Sequence, residues 1–321
     1  MLIPSFSSKG FGKSKKNGKS EISKILTLSG EFLTEYYLIS AYDIFYGHIP
    51  KPQELPYKPE LIFLDSGGYE VSTDKDYSSV IDPVPAPEPW DLQKWESIVN
   101  SWPDDIPVII VSYDHHNERM SFINQVNNAR KRFRVCREHF KLLLLKPETS
   151  SQTLLNNVIN SAIAHVEELE SFDIIGVTEK ELGRSVLDRM VQIARLRKSM
   201  DSFDISIPIH VFGALDPISV CLYFIAGAEI FDGLTWIRYG YEDGLCVYIH
   251  NLSVYGENKD ISITDDQLKS RVLVKNYYYL KKLRRRLQEF EVTKDWDKFD
   301  QHNNIMKEAW DSLKTRLERR S

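Results

Sequence analysis

Three carboxylates stand directly after apolar runs. Asp65 follows "LIFL" (61–64), Asp114 follows "PVIIVSY" (107–113), and Asp232 follows "EIF" (229–231). A lone aspartate at a strand end commonly serves as a helix N-cap or turn former. Several at one rim point to chemistry, because two facing carboxylates are the equipment for breaking a glycosidic bond. One attacks the anomeric carbon and forms a covalent sugar–enzyme ester, while the other carries the proton to and from the leaving group. Their surroundings must separate the two roles, keeping the nucleophile ionised while its partner can hold a proton. Ser66, Gly67, Gly68 and Tyr69 come next after Asp65, two residues of high backbone freedom followed by an aromatic face. His115 and His116 adjoin Asp114 without further ligands at metal-binding spacing, so they read as pocket lining or surface. His210, on an apolar run, reads as a core histidine with its polar atoms satisfied.

The elements that must position these residues alternate. Near-continuous apolar runs occur at 2–6, 36–41, 61–65, 107–113, 140–145, 173–177, 207–212 and 229–232, the pattern of strands buried on both faces of a parallel sheet. Between them lie amphipathic stretches with helical spacing, among them "WDLQKWESIVNSW", "TLLNNVINSAIAHVEEL" and "SVLDRMVQIARLRKSM". Eight or so such units predict an α/β fold, a closed (β/α)8 TIM-like barrel ahead of an open doubly wound sheet, with active-site residues at the carboxyl ends of the strands. Residues 74–90, rich in proline and charge, read as a loop. The expected organisation is a barrel over residues 1–264 and a basic helical extension over 265–321, packed on or beside it.

The net charge is −5, which excludes a chain that is basic throughout, yet basic residues cluster locally. Residues 9–24 hold six lysines against Glu21, and residues 271–290 hold seven Lys or Arg against Glu289. Each cluster fits either a solvated face or contact with phosphates; for the second, Lys281, Lys282, Arg284, Arg285 and Arg286 are the candidate contacts. Cys136, Cys221 and Cys246 are far apart and form no C-x-x-C pair, so no metal and no other cofactor is expected. An odd number of thiols without a secretory-type start suits a reducing cytoplasm. No apolar run approaches the length of a membrane span, so no membrane partner is expected.

Two stretches match a family. "LDSGGYE" (64–70) resembles the D-S-G-G-[FY]-Q signature of the tRNA-guanine transglycosylases, the queuine and archaeosine tRNA-ribosyltransferases. "HVFGALDPISVCLYFIAGAEIFDGLTWIRYGYEDG" (210–244) is similar to that family's glycine-rich turn, helix, Phe-Asp strand end and Thr-Arg segment. Resembling pieces run in order over roughly residues 1–250. The resemblance implies a barrel enzyme that exchanges guanine in nucleic acid for a 7-deazaguanine such as 7-cyano-7-deazaguanine. By that match Asp232 is the nucleophile and Asp65 the acid/base group. Ser66, Gly67 and Gly68 admit the substrate closely, and Tyr69 stacks on the base. Asp114 accepts hydrogen bonds from the guanine-type edge. Gly176 offers its backbone, Gly213 opens the glycine-rich turn, and Arg238 partners a phosphate or carboxylate.

The chain also departs from the family pattern. The tRNA enzymes carry a C-x-C-x-x-C…H zinc module after the barrel, and residues 245–287 contain no such cysteines. "VKNYYYLKKLRRRL" is like the family's closing helix with the zinc insert gone. Lys146 stands where a Gln-Gly pair would help read the purine, and Glu70 replaces the signature's Gln. The missing module favours DNA over tRNA, in line with the branch of the family that inserts 7-deazaguanines into DNA, with helper proteins as further partners. The alternatives are a non-catalytic nucleic-acid-binding or partner subunit of the same superfamily, or an unrelated glycosidase barrel.

Overall fold

Strands that are apolar on both faces need cover on both sides, and the chain supplies it by winding a helix after nearly every strand. In the computed structural model, which describes residues 1–11, 20–55, 57–72, 86–114, 118–134, 136, 139–149, 154–254 and 260–319, β1 (Leu2–Pro4), β2 (Tyr36–Ser40), β3 (Leu61–Asp65), β4 (Val108–Val111), β5 (Phe140–Leu144), β6 (Ile174–Thr178), β7 (Ile209–Phe212) and β8 (Ile230–Gly233) form one parallel sheet. From β2 to β8 each strand pairs with its sequence neighbour, and β1 pairs with β8. A parallel bridge between Ser5 and Leu38, with Phe6 N–H donating to the Leu38 carbonyl at 2.9 Å, brings β1 against β2 and nearly closes the barrel.

The period-two alternation of a strand sorts its side chains between two cores. Ile3, Leu38, Phe63, Leu142, Phe212 and Ile230 point inward and form a buried plug. Their neighbours Leu2, Ile39, Ile62, Leu143, Val211 and Phe231 point outward into the larger core beneath the helices. Gly176 belongs to the inner set. A Cβ there would stand 2.7 Å from both Leu142 Cδ2 and Phe212 Cε2, so the missing side chain is what lets those two meet.

The surrounding helices are α1 (Glu21–Ser29), α2 (Ala41–Phe45), α3 (Gly68–Val71), α4 (Leu92–Asn100), α5 (Phe122–Phe133), α6 (Asn156–Ala164), α7 (Glu179–Leu182), α8 (Val186–Ser202) and α9 (Pro217–Ile225). Several of their starts follow capping chemistry: Ser185 Oγ accepts from Asp188 N–H at 3.1 Å, and Asp216 caps α9 ahead of Pro217. After β8 come α10 (Thr235–Arg238) and an antiparallel hairpin, β9 (Gly240–Glu242) and β10 (Leu245–Val247), which strand–helix alternation does not anticipate.

The helical tail consists of two α-helices, α11 (Asp265–Thr293) and α12 (Asn303–Glu318). Lys294 adopts a left-handed backbone (φ 53°) that ends α11, and its N–H caps the Phe290 carbonyl at 2.7 Å. Helix α11 lies against β1 and β9, and α12 packs on α8 and α9. Fully buried Asn276 pins α11 in place: its amide donates to the Trp236 and Tyr239 carbonyls at 2.7 Å each and its oxygen accepts from Tyr241 N–H at 2.8 Å. No helix among the described residues is long and apolar enough to cross a membrane.

Candidate active site

The last inward position of a barrel strand faces the carboxyl-end mouth. Asp65 holds that place on β3 and Asp232 holds it on β8. Between them, β2 ends in Ser40, which pairs in register with Asp65, and β1 is followed by Ser5, two residues beyond Ile3, the partner of Asp232. Both acids are buried, at 8% and 5% exposure, and the Asp232 charge acts on Asp65.

Their environments differ. Asp232 accepts from Ser5 Oγ at 2.8 Å on Oδ2, and on Oδ1 from His210 Nε2 at 2.9 Å and Gly213 N–H at 3.3 Å. An ionised carboxylate, an acceptor only, takes all three. Asp65 accepts a single backbone bond, from Gly67 N–H at 3.3 Å. Burial, then the neighbouring charges of Glu70, Asp114 and Asp232, push its carboxyl well above the usual carboxylate range. Such a pair can place an ionised nucleophile opposite a protonated acid.

His210 departs from the sequence expectation. It is a core residue, fully buried and stacked on Phe212 at 3.9 Å between centroids, but it reaches up to the Asp232 carboxylate and its Nδ1 has no hydrogen-bond partner among the described residues. Burial lowers its pKa against the opposing pull of Asp232, so the neutral ring donates Nε2–H to the aspartate.

The Ser-Gly-Gly-Tyr turn is filled by protein groups. Gly67 has φ 92°, and a Cβ on it would stand 2.7 Å from Trp90 Nε1, the atom that donates to the Ser66 carbonyl. A Cβ on Gly68 would meet the Asp114 carboxylate oxygens at 2.6 Å. Asp114 is held by the Ser66 hydroxyl, and Lys146 Nζ lies 3.9 Å from it while pairing with Glu181 at 2.8 Å. Lys146 thus joins two carboxylates at the β4–β6 side of the mouth; Glu181, on short α7, carries no sequence signal that would have found it. The Lys9 ammonium sits 4.5 Å over one face of the Tyr69 ring, and Arg238 donates to the Tyr69 hydroxyl and the Lys9 carbonyl at 3.3 Å. Gly213 (φ 82°) has nothing among the described residues within 4 Å of where a Cβ would be, which leaves open space beside Asp232.

Gly176 lies below the mouth in the barrel plug. The basic run of α11 is placed elsewhere: Lys281 and Arg284 pair with Glu35 at 2.8 and 2.6 Å, just before β2 and hence at the amino end of the barrel. Arg285 pairs with Glu289 at 3.0 Å and Arg286 with Asp300, while Lys282 lines a cavity with Arg286. That cavity, about 270 Å³, lies outside the barrel between α9, the β9–β10 hairpin and α11. A smaller one, about 40 Å³, adjoins Asp114. Neither includes Asp65 or Asp232. His115, His116 and much of the lysine-rich segment lie outside the described residues, as do residues 73–85 of the proline-rich loop. Among the described residues, no group of three or more His, Cys, Asp or Glu is arranged to hold a metal ion.

Serines 5 and 7 and Asp43 complete the mouth. The segment after β1 alternates: Ser5 Oγ reaches Asp232, Ser7 Oγ reaches Glu70 at 2.5 Å, and Ser8 N–H reaches Asp43 at 2.8 Å. The string "SFSS" was the available signal, since alternate strand-end serines share one face. Comparison of the chain with protein-family models and with curated proteins finds no match.

Proposed function

We propose that the chain is a base-exchange transglycosylase that replaces guanine in nucleic acid, DNA ahead of tRNA, with a 7-deazaguanine derivative. The reading rests on the asymmetry between two carboxyls at one mouth: Asp232 under three donors, Asp65 nearly bare and driven toward its protonated form. In this reaction an Asp232 oxygen bonds to C1′ of the target nucleotide as the bond from C1′ to guanine breaks. Asp65 gives its proton to the departing guanine. The incoming deazaguanine then attacks C1′, releases the Asp232 carboxylate and returns a proton to Asp65. His210, Ser5 and Gly213 hold the nucleophile still, so little reorganisation is needed at the moment of attack.

Base recognition falls to the rim. Asp114, fixed by Ser66 and beside Lys146, accepts from the donor edge of a guanine-type base. The base must first leave its stack, and the aromatic ring of Tyr69 and the open space beside Gly213 are the features available to receive it. The preference for DNA comes from the sequence, which replaces the zinc module with the β9–β10 hairpin and the start of α11.

The test is incorporation of labelled guanine or 7-cyano-7-deazaguanine into DNA and into tRNA, by the wild type and by Asp232→Ala. Incorporation by the wild type alone, with a covalent nucleic-acid adduct that maps to Asp232, is the expected result. Incorporation that persists in the variant removes the nucleophile, and its absence with every substrate removes the reaction.

A further inference from the structure

We propose that Glu70 is a positioning residue that keeps the proton on Asp65, acting from behind the mouth within a buried trio of carboxyls, Asp43, Asp65 and Glu70. The inference rests on the reading of Asp65 as the acid/base group. Three elements contribute: Asp43 comes from α2, Asp65 from the end of β3 and Glu70 from α3. All three are buried, and none has an ion-pair partner among the described residues.

Among the described residues, only neutral donors reach them. Ser7 Oγ and Ser40 Oγ donate to the two Glu70 oxygens at 2.5 and 2.9 Å. Ser8 N–H donates to one Asp43 oxygen, Oδ2, and the other has no hydrogen-bond partner among the described residues. Ser40 ties the trio together, because it is also the register partner of Asp65 on the adjoining strand. The remaining charged groups around the mouth do not neutralise the trio. Asp114 and Asp232 add negative charge, Lys9 donates to the Tyr69 and Ser72 carbonyls at 2.8 and 2.7 Å, and Lys146 pairs with Glu181. Arg238 donates to Tyr69 and the Lys9 carbonyl, and neutral His210 donates to Asp232.

Buried carboxyls without cations cannot all ionise, and each one that does so holds the protons of its neighbours more tightly. Burial, with Asp43 the next cause, raises Glu70 to about 7; burial raises Asp43 to about 7 as well. Burial, and then the neighbouring charges with Glu70 the largest of them, push Asp65 well above the usual carboxylate range. As Glu70 ionises near neutrality it therefore preserves the proton that Asp65 must deliver. A glutamine, as in the signature this stretch resembles, would fill the same space beside Ser7 and Ser40 without that charge.

The experiment is a pH titration of the ¹³C-labelled aspartate carboxyl signals in the full chain, with the Asp65 signal identified by its loss in Asp65→Asn. Glu70→Gln is expected to lower the Asp65 midpoint by about one pH unit or more. Ser40→Ala, which removes a donor but leaves the Glu70 charge, is expected not to lower it. The base-exchange rate, which needs protonated Asp65, should lose its alkaline limb at correspondingly lower pH in Glu70→Gln. An unchanged Asp65 midpoint in Glu70→Gln overturns the proposal. So does an equal fall in both variants, which would assign the effect to packing. A wild type with no exchange activity would refute the proposed reaction, while the carboxyl titration would still decide the role of Glu70.

Discussion

Replacing His210 by phenylalanine separates support of the proposed nucleophile from support of the fold. The ring is fully buried, stacked on Phe212 and set edge-on to Phe63 at 5.7 Å, so an aromatic of similar shape fits the same slot. Two energetic consequences oppose each other in the folded protein. The hydrogen bond to the Asp232 carboxylate is lost, worth about 1.5–3 kcal/mol for a bond to a charged group. The partnerless Nδ1 also disappears, which relieves a buried polar atom worth about 1–3 kcal/mol. Stability should therefore change by no more than about 2 kcal/mol in either direction, read as a denaturant midpoint. The proposed reaction has no such offset, because in it Asp232 must be held on line as it bonds to C1′. Loss of about 1.5–3 kcal/mol from that step slows adduct formation by roughly 10- to 100-fold. The assay is single-turnover trapping of the Asp232 adduct beside an unfolding curve on the same preparation. Adduct formation at the wild-type rate, or a rate loss fully matched by a loss of stability, would refute the assignment of His210 as a support for the nucleophile.

Gly176→Ala should destabilise the chain by about 1–3 kcal/mol through overpacking against Leu142 and Phe212, with base affinity unchanged in the folded fraction; unfolding curves and base-binding calorimetry check both parts. Asn276→Ala strands two carbonyls and one N–H in the core, so a loss of about 3 kcal/mol is expected in denaturant titration, without change in the pH profile of exchange. Asp43, Asp65 and Glu70 bind protons more tightly in the folded chain than in the unfolded one. Their contribution is thus fully present below the unfolded values near 4 and is lost as pH rises toward about 7 and beyond. Thermal melts should show this decline with pH, and Glu70→Gln should flatten it and raise the melting temperature at pH 8.

The fold was legible in the sequence because two-sided burial leaves a strong mark. A parallel strand covered on both faces is apolar at every position, and eight such runs at strand–helix spacing admit few architectures. Asp65 and Asp232 were legible for a related reason: a carboxylate ending an apolar run stands out, and a barrel brings all strand ends to one mouth. The hairpin of β9 and β10 and the break at Lys294 were less so, since each depends on a few turn residues rather than on a periodic pattern.

What the sequence by itself determined was the order of elements and the chemical type at each strand end. Local periodicity carries that information directly. Which groups touch was decided only by closure of the barrel, which brings residues from the first strand onto the last. Ser5 meets Asp232 across 227 positions and Ser7 meets Glu70 across 63. The same closure made Gly176 a packing residue and left Lys281 and Arg284 paired with Glu35 at the far end. It also gathered Asp43, Asp65 and Glu70 away from water. A carboxyl's proton affinity depends on its distance from water and from other charges, and those distances exist only once the chain has folded.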